Sequence, residues 1–158
     1  MESGRIHQIN LSKGGVPKLP VESAVVTELG IAGDEHRDTS GHGGPERALC
    51  FYALELIEEL RGEGHPVAPG TMGENITTVG VDHQTVQPGD RFALGDEVVV
   101  EVTRYTTPCT NIRESFQDGD FTRVLQKTNP GWSRYYTKVL QGGQIRPGDS
   151  VRKLSDGA

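Results

Sequence analysis

Cysteine is scarce in this sequence, which has only Cys50 and Cys109 among its 158 residues. No apolar segment approaches the roughly 18 to 20 residues that cross a bilayer, and no apolar run near the N-terminus resembles a signal peptide. Two cysteines without a secretory signal argue against a disulfide scaffold. They predict a reducing, cytoplasmic environment.

An excess of positive charge is also missing, because 22 acidic residues outnumber 16 basic residues and give a formal net charge of −6. This balance argues against a nucleic-acid groove or an anionic membrane surface as the main partner. A small anionic cofactor is still compatible with the sequence, since local geometry rather than net charge decides such binding.

Glycine and proline are abundant: 21 glycines and 9 prolines make up nearly a fifth of the chain. Such a composition favours short strands joined by tight turns over a helical bundle. The length is that of one domain, and no linker or low-complexity tract divides it. We therefore expect a single, mainly β domain, a closed or nearly closed barrel with a few short helices.

Several strands follow from the pattern of apolar residues. Arg5–Leu11 and Glu22–Glu28 are predicted strands. The clearest strand is Asp96–Arg104, where valines alternate with other residues, and it should pair with Arg91–Leu94 as a hairpin. Two similar segments, 86–92 and 145–151, each carry a Pro-Gly-Asp turn that should begin a strand and serve architecture rather than ligand binding.

Helical periodicity points to one long helix and one short helix. The long helix should begin at Pro45 and end at Gly62, with an apolar stripe of Leu49, Tyr52, Ala53, Leu56, Ile57 and Leu60. Within it, Cys50 is expected to be a small core residue. A shorter helix is predicted over Phe121–Lys127 with Asp120 as its N-cap. The segment Trp132–Leu140 is ambiguous between strand and helix, and its apolar residues fit a helical stripe better than strict alternation.

A glycine-rich loop, Gly41–Pro45, directly precedes the predicted long helix. Its residues Gly43 and Gly44 let the backbone approach a ligand, free N–H groups at a helix start attract anions, and His42 adds a titratable group. A glycine-rich loop with a surface histidine explains the same residues.

A second candidate segment, Gly70–Ile76, reads as a tight turn that leads into a strand. Its residues Glu74 and Asn75 could contact a ligand. Hydrogen bonding between neighbouring loops is the interpretation that the sequence favours.

Cys109 lies in a polar loop after a predicted strand, with Thr106 and Thr107 before it. A thiol in this setting suits a nucleophile or a soft-metal ligand, and Arg104 and Arg113 would favour the thiolate if they fold toward it. No second cysteine or paired histidines accompany it at zinc-ligand spacing. A Cys–His hydrolase would need His42 or His36 beside the thiol, and no local signature supports one.

Five motifs in order resemble the MOSC domain, the module named for the C-terminal region of molybdenum-cofactor sulfurase. They are Gly30-Ile31-Ala32-Gly33-Asp34, His42-Gly43-Gly44, Gly73-Glu74-Asn75-Ile76, Pro108-Cys109 and Pro147-Gly148-Asp149-Ser150-Val151. They lie between Gly30 and Val151, and the domain that they indicate is expected to extend over about Gly4 to Leu154, with residues 1–3 and 155–158 as flexible termini. The resemblance implies a barrel-like β fold. It also implies a pterin-bound molybdenum centre, or sulfur carriage by the family cysteine.

Residue by residue, the resemblance assigns Cys109 as the ligand of molybdenum or the carrier of sulfane sulfur. It places His42, Gly43 and Gly44 near the cofactor, with Glu74 and Asn75 as support or as pterin contacts. Many family members have an arginine for the cofactor phosphate where this chain has Thr106. Arg104, two residues earlier and on the same face of the strand, is a candidate substitute, and Thr107 completes the predicted cofactor-binding set.

The resemblance favours a molybdenum-cofactor reductase of N-hydroxylated compounds, as some stand-alone members are. Electrons would come from a separate protein, since no flavin or iron–sulfur signature is present, and the chain would act as a monomer or homodimer. No pyridoxal-phosphate domain is present, so desulfurase activity is not expected. The alternatives are a sulfur carrier with a Cys109 persulfide and a non-catalytic module that binds a pterin or another small anion. His36, His65 and His83 are expected at the surface.

Overall fold

The computed structural model describes residues 4–11, 18–33, 45–108 and 110–155. In these ranges the chain forms eleven strands and one α-helix, α1 (Leu54–Gly62). The strands are β1 (Gly4–Leu11), β2 (Leu19–Val21), β3 (Ala24–Thr27), β4 (Gly30–Ile31), β5 (Leu49–Ala53), β6 (Ile76–Val79), β7 (Arg91–Leu94), β8 (Val98–Tyr105), β9 (Tyr135–Gln141), β10 (Gly143–Ile145) and β11 (Ser150–Leu154). The predicted mainly β class is confirmed.

Seven strands close into a barrel in the order β1-β11-β7-β8-β9-β5-β6 and back to β1. All neighbouring pairs are antiparallel except β5 with β6. β2 adds to β1 at the side, and β10, β3 and β4 form a small separate sheet. Closure leaves the seven barrel strands without a free edge, which is how such a short-stranded sheet avoids pairing with other chains.

The interior of the barrel is filled from alternate positions along the strands. In β8 the buried residues Val98, Val100 and Val102 face the core, and β7 pairs with β8 as the predicted hairpin, with Phe92 opposite Val100. A register shift between Val102 and Arg104 then interrupts the alternation. Such a bulge redirects the side chains that follow it, which matters because β8 leads to Cys109.

The two Pro-Gly-Asp turns have the same geometry and the predicted architectural role. Gly89 and Gly148 adopt φ values of 97° and 95°, which suit glycine at the third position of a type II turn. In each turn the aspartate carboxylate accepts a hydrogen bond from a backbone N–H three residues earlier, at Gln87 (3.0 Å) or at Arg146 (2.8 Å). The turns start β7 and β11, which are adjacent in the barrel.

The predicted helix from Pro45 to Gly62 is wrong in its first half. Pro45–Arg47 is a 3-10 turn, Leu49–Ala53 is the barrel strand β5, and the helix begins only at Leu54. All five residues of β5 are buried, because the barrel core covers one face and α1 with its neighbours covers the other. A strand that is buried on both faces has a continuous apolar run, which periodicity alone cannot distinguish from a helix. Cys50 is a buried free thiol, as expected, but in a strand.

A similar cause explains the second correction, at Trp132–Leu140. This segment contains β9 rather than a helix, and Tyr135 and Tyr136 are both buried although they point to opposite faces. The short helix predicted over Phe121–Lys127 is a 3-10 helix, Phe121–Val124, whose N-cap Asp120 accepts from the Thr122 N–H at 3.1 Å as predicted.

A second apolar cluster lies outside the barrel, against β5 and β6. Its buried members are Tyr52, Ala53, Leu56, Ile57, Leu60, Val67, Met72, Ile112, Phe116 and Val124. This cluster covers the outer face of β5 and β6. It also packs the 3-10 helix Thr110–Ser115 against the barrel. Within the described ranges, no helix is long and apolar enough to span a membrane.

A buried polar network holds β1, β5 and β6 together where β6 begins. The Asn75 side-chain oxygen accepts from the Cys50 N–H at 2.9 Å, and its backbone oxygen accepts from the Asn10 N–H at 2.7 Å. The fully buried Glu74 accepts through Oε2 from the Gly70 N–H (3.1 Å) and the Thr77 hydroxyl (2.9 Å). Both residues therefore have the loop-supporting role that the sequence favoured.

Gly70 gives this loop a conformation that other residues cannot adopt. Its φ is +90°, and an added Cβ would lie 2.1 Å from the Lys18 carbonyl oxygen. We expect Gly70→Ala to lower the free energy of unfolding by at least about 2 kcal/mol, since backbone strain and a backbone clash combine. The matched control is Gly89→Ala, at φ +97° with no described atom within 4 Å of the new Cβ. It should cost about 1–2 kcal/mol. If urea denaturation showed the same loss of unfolding free energy for both variants, the close approach of Gly70 to the Lys18 carbonyl oxygen would be contradicted.

Glu74 makes a second prediction, because burial raises the pKa of its carboxyl from 4.5 to about 7. Between these values the unfolded chain loses a proton that the folded chain keeps, so stability falls as pH rises from about 4.5 to 7. Glu74→Gln keeps a neutral group of the same shape. We expect the free energy of unfolding of Glu74→Gln, relative to that of wild type, to increase by about 2–4 kcal/mol from pH 4 to pH 8.

The control for this comparison is Glu58→Gln, because Glu58 is exposed on α1. Its difference from wild type should not grow over the same pH range. Urea denaturation of the three proteins at pH 4, 6 and 8 measures the effect. A Glu74→Gln difference that stays constant with pH would show that the carboxyl titrates alike in the folded and unfolded chains.

Candidate functional site

Four of the predicted site residues, Cys109, His42, Gly43 and Gly44, lie outside the described residues. The segments on either side of Cys109 are described, up to Pro108 and from Thr110 onward. Thr106 is buried and Thr107 is exposed on the approach from β8, while the 3-10 helix Thr110–Ser115 follows.

The approach to Cys109 is fixed by the start of β9. The Thr106 N–H donates to the Arg134 carbonyl oxygen at 3.0 Å, and the Ser133 hydroxyl donates to the Thr106 carbonyl oxygen at 3.2 Å. Because Arg104 pairs with Tyr136 and Tyr105 with Tyr135, the same register sets Thr106 opposite Arg134. This backbone bond continues the pairing of β8 with β9 one residue past the ends of the two strands.

The loop that carries the Gly-Glu-Asn motif contacts both sides of the Cys109 segment. After Cys109, the Ser115 hydroxyl donates to the Thr71 carbonyl oxygen at 3.1 Å. Before it, Arg134 opposite Thr106 donates through Nη1 to the Met72 carbonyl oxygen at 2.7 Å. This loop is called the floor of the candidate site. It is bonded to Ser115 after Cys109 and, before Cys109, to Arg134 at the start of β9.

The chain that follows the predicted His-Gly-Gly loop also packs against the end of β8. The Thr103 hydroxyl donates to the Glu46 carbonyl oxygen at 2.6 Å, and the Arg47 guanidinium lies 5.9 Å from the centre of the Tyr136 ring. Arg104, exposed, stands opposite Tyr136. Glu46 therefore contacts β8 and Arg47 contacts β9, both near the end of β8 that leads toward Cys109.

Arg104 and Thr106 lie on the same side of the sheet, since they face consecutive outward residues of β9. Their environments differ: Arg104 is exposed, whereas Thr106 is 4% exposed. Together with Arg47 and Arg134, Arg104 gives this face of β8 and β9 three guanidinium groups. Among the described residues, this face therefore carries positive charge although the chain as a whole is acidic, which is compatible with a small anionic ligand.

Five buried polar side-chain atoms have no hydrogen-bond partner within the described part of the chain. They are Glu74 Oε1, Thr106 Oγ1, Arg134 Nε, His83 Nδ1 and Tyr135 Oη. Thr106 and Arg134 are joined by a backbone hydrogen bond at the ends of β8 and β9, whereas the Tyr135 side chain belongs to the barrel core. Buried polar atoms without partners are rare, so Thr106 Oγ1 and Arg134 Nε are candidate ligand contacts.

His83 is buried, and the expected surface position is wrong. Its Nε2 donates to the Ser133 carbonyl oxygen at 2.7 Å, and its ring packs against the rings of Tyr52 (5.1 Å) and Tyr135 (4.9 Å). Burial lowers the pKa of this imidazole to about 4, so the ring is neutral at pH 7. Its sequence neighbours are turn residues, which gave no sign that the short 3-10 helix His83–Thr85 packs inward.

Ser133 and Arg134 were not predicted from the sequence. The helical pattern of this region gave no sign that Ser133 and Arg134 directly precede the strand β9, beside the segment that leads from β8 to Cys109. Arg134 lies between apolar and aromatic residues of the sequence, and a charged residue in such a run is a signal of a buried ion.

A polar pterin cofactor fits this donor set. Buried Thr106 and Arg134 have unused hydrogen-bonding atoms, and Arg104 and Arg47 add positive charge. No cluster of three metal-ligating side chains occurs among the residues the structure describes. A separate cleft of about 500 Å³ is lined by Thr85, Val86, Phe92 and Val151 among others.

Comparison with known proteins agrees with the fold and the motifs. The MOSC domain model matches residues 38–152. YflK, an uncharacterised protein of Bacillus subtilis, is 34% identical over 147 residues, which cover 90% of this chain and 64% of YflK. A protein named reductase from Gibberella moniliformis is 35% identical over 130 residues, which cover 79% of this chain but 22% of that protein. The chain therefore spans less than two thirds of these relatives.

Among solved structures, YiiM from Geobacillus stearothermophilus superimposes with a TM-score of 0.77 at 26% identity, covering 98% of this chain and 77% of that one. The matched family model extends over well more than half of the sequence, and it includes the positions of all the predicted site residues. On these grounds the closed seven-strand barrel described here belongs to the MOSC domain family.

Proposed function

We propose that this MOSC protein binds a molybdenum cofactor through Cys109 and reduces N-hydroxylated substrates. The observation that carries the proposal is the group of buried, unpartnered polar atoms on Thr106 and Arg134, beside the segment that holds Cys109. The family is associated with the molybdenum cofactor, and a relative named reductase supports reduction as the reaction class.

The residues of this chain would divide the binding as follows. The Cys109 thiolate is a soft ligand suited to molybdenum. Thr106 and Arg134 would bind oxygen atoms of the organic part, with Arg104 adding charge at the surface. His42, Gly43, Gly44 and Thr107 remain predicted contacts, whereas Glu74 and Asn75 would support the floor of the site.

When bound, a molybdenum cofactor supplies two-electron chemistry coupled to the transfer of an oxygen atom. Reduction of an N-hydroxylated amine consumes two electrons and two protons, breaks the N–O bond and releases the amine and water. We expect the electrons to come from a separate donor protein, because the sequence has no flavin or iron–sulfur signature. The chain's own residues would bind and orient the cofactor, and the exposure of Thr107, one residue from Thr106, is compatible with a site open to substrate.

Metal and pterin analysis of protein from a cofactor-competent host tests this function. Wild type should contain close to one molybdenum and one pterin per chain, and Cys109→Ser should lose most of the molybdenum while remaining folded. Cys50→Ala is the matched control, since Cys50 is a buried thiol of the barrel. It should keep both, apart from any loss of stability.

Two other results would each point to a different function. Sulfur released by cyanide from metal-free wild type, and abolished by Cys109→Ser but not by Cys50→Ala, would identify a persulfide carrier. Pterin bound equally by wild type and Cys109→Ser, with no molybdenum in either, would identify a binding module. In both cases the reductase proposal would be rejected.

A further inference from the structure

The charges of this protein are distributed unevenly over its surface. The neighbouring barrel strands β11, β7, β8 and β9 contain one acidic residue, Glu101, and five basic residues, Arg91, Arg104, Lys138, Arg152 and Lys153. In contrast, α1, which covers β5 and β6, contains three acidic residues and one basic residue. In a chain with a net charge of −6, the basic residues are thus concentrated on four adjacent strands.

The strand register brings three of these cations to the outer face of the sheet. Arg91 pairs with Glu101 and Glu101 pairs with Lys138, so the three residues form one row across β7, β8 and β9. Glu101 lies between two core-facing valines of β8, so this row faces outward. Arg152 pairs with Ala93, two residues along β7 from Arg91, and therefore projects from the same face.

These three cations, Arg91, Lys138 and Arg152, form a surface that we call the basic face. Glu101 accepts a hydrogen bond from the Arg91 guanidinium at 2.8 Å, and its other oxygen lies 3.3 Å from the Lys138 ammonium. The Arg91 and Lys138 side chains are nevertheless 50% and 38% exposed. Arg152 is exposed and has no ion pair among the described residues. One carboxylate leaves this surface with an excess of positive charge.

The basic face continues along β9 toward the candidate site. Tyr136, two residues before Lys138, pairs with Arg104, and the Arg47 guanidinium lies 5.9 Å from its ring centre. These residues are at the end of β8 that leads toward Cys109. A protein bound to the basic face would therefore extend to the edge of the candidate site.

We propose that the basic face is the docking surface for a small acidic one-electron carrier protein. This inference rests on the proposed function, which consumes two electrons although the sequence has no flavin or iron–sulfur signature. Each reduced carrier would be oxidised by one electron, so two successive encounters would supply the pair that, with two protons, converts the N–O group to amine and water. Such transient complexes have small interfaces and depend on opposite charges for their association.

Binding of an acidic plant-type [2Fe–2S] ferredoxin to the full chain tests this surface. Calorimetry at low salt should detect a complex with wild type. The double variant Arg91→Gln/Arg152→Gln should weaken it roughly 3- to 10-fold, the effect of losing two exposed ion pairs. The difference should disappear at high salt, because exposed charges are then screened. Should the double variant fail to fold, Lys138→Gln carries the test, with an expected loss of about 2- to 3-fold.

The matched control is Arg61→Gln/Lys127→Gln, which changes the net charge by the same amount. Arg61 is exposed on α1, and Lys127 is exposed beyond the 3-10 helix Phe121–Val124. This variant should bind ferredoxin as wild type does. A surface effect is thereby separated from an effect of total charge.

Turnover of the molybdenum-loaded enzyme separates docking from a structural role. With reduced ferredoxin as donor, Arg91→Gln/Arg152→Gln should raise KM for ferredoxin. With a reduced viologen dye, which needs no docking surface, its rate should equal that of wild type. If the two arginines only stabilised the sheet, the melting temperature would fall and KM for ferredoxin would not change.

Several outcomes would overturn the proposal. They are equal affinity of both double variants for ferredoxin, a wild type that does not bind it, and an Arg91- and Arg152-dependent affinity for a short DNA duplex in place of ferredoxin. A loaded enzyme with the same ferredoxin-driven turnover in both double variants would reject the docking surface and leave the proposed function standing. Ferredoxin binding through the basic face, by protein that never contains molybdenum, would reject the proposed function and leave the interaction standing.

Discussion

The structure depends on a short seam, the pairing of β1 with β11 that closes the barrel. Only two residue pairs form it, Gly4 with Val151 and Arg5 with Ser150. A Cβ on Gly4 would lie 2.4 Å from the Val81 side chain and 3.1 Å from the Val151 carbonyl oxygen, so the strands meet there only because the residue is glycine. The backbone bonds between Ile6 and the turn before β11 extend the seam. Closure in turn determines which strand ends lie side by side.

The candidate site is a consequence of that closure. β8 and β9 run antiparallel, so the end of one adjoins the start of the other, and Thr106 meets Ser133 and Arg134. The bulge after Val102 turns the following residues of β8, which puts Arg104 and Thr106 on the outer face. On that face Thr106 and Arg134 are buried while Arg104 stays exposed. Arg134 is also bonded to the carbonyl oxygen of Met72, a member of the second apolar cluster, so the cluster next to β5 and β6 contributes to the position of this polar group.

Sequence reasoning succeeded where the determinant was local. The two Pro-Gly-Asp turns, the hairpin of β7 and β8, and the Asp120 cap each depend on a few adjacent residues, and all three follow from the sequence. It failed at β5 and at the start of β9, where apolar residues face both the barrel core and the outer layer. The family motifs pointed to the region of Cys109. They could not identify Arg134 or the burial of His83, because both depend on which distant strands become neighbours.

The electrostatics of the site show why net charge is a poor guide to ligands. Coulomb interactions between exposed charges are screened over roughly 8–10 Å in physiological salt, so the acidic residues elsewhere on the surface contribute little at Arg134. Within that range the face of β8 and β9 presents Arg47, Arg104 and Arg134. The buried guanidinium is the strongest of the three, because low local polarity reduces its screening and water cannot solvate it. The net charge of −6 therefore does not decide whether a small anion binds at this face of the barrel.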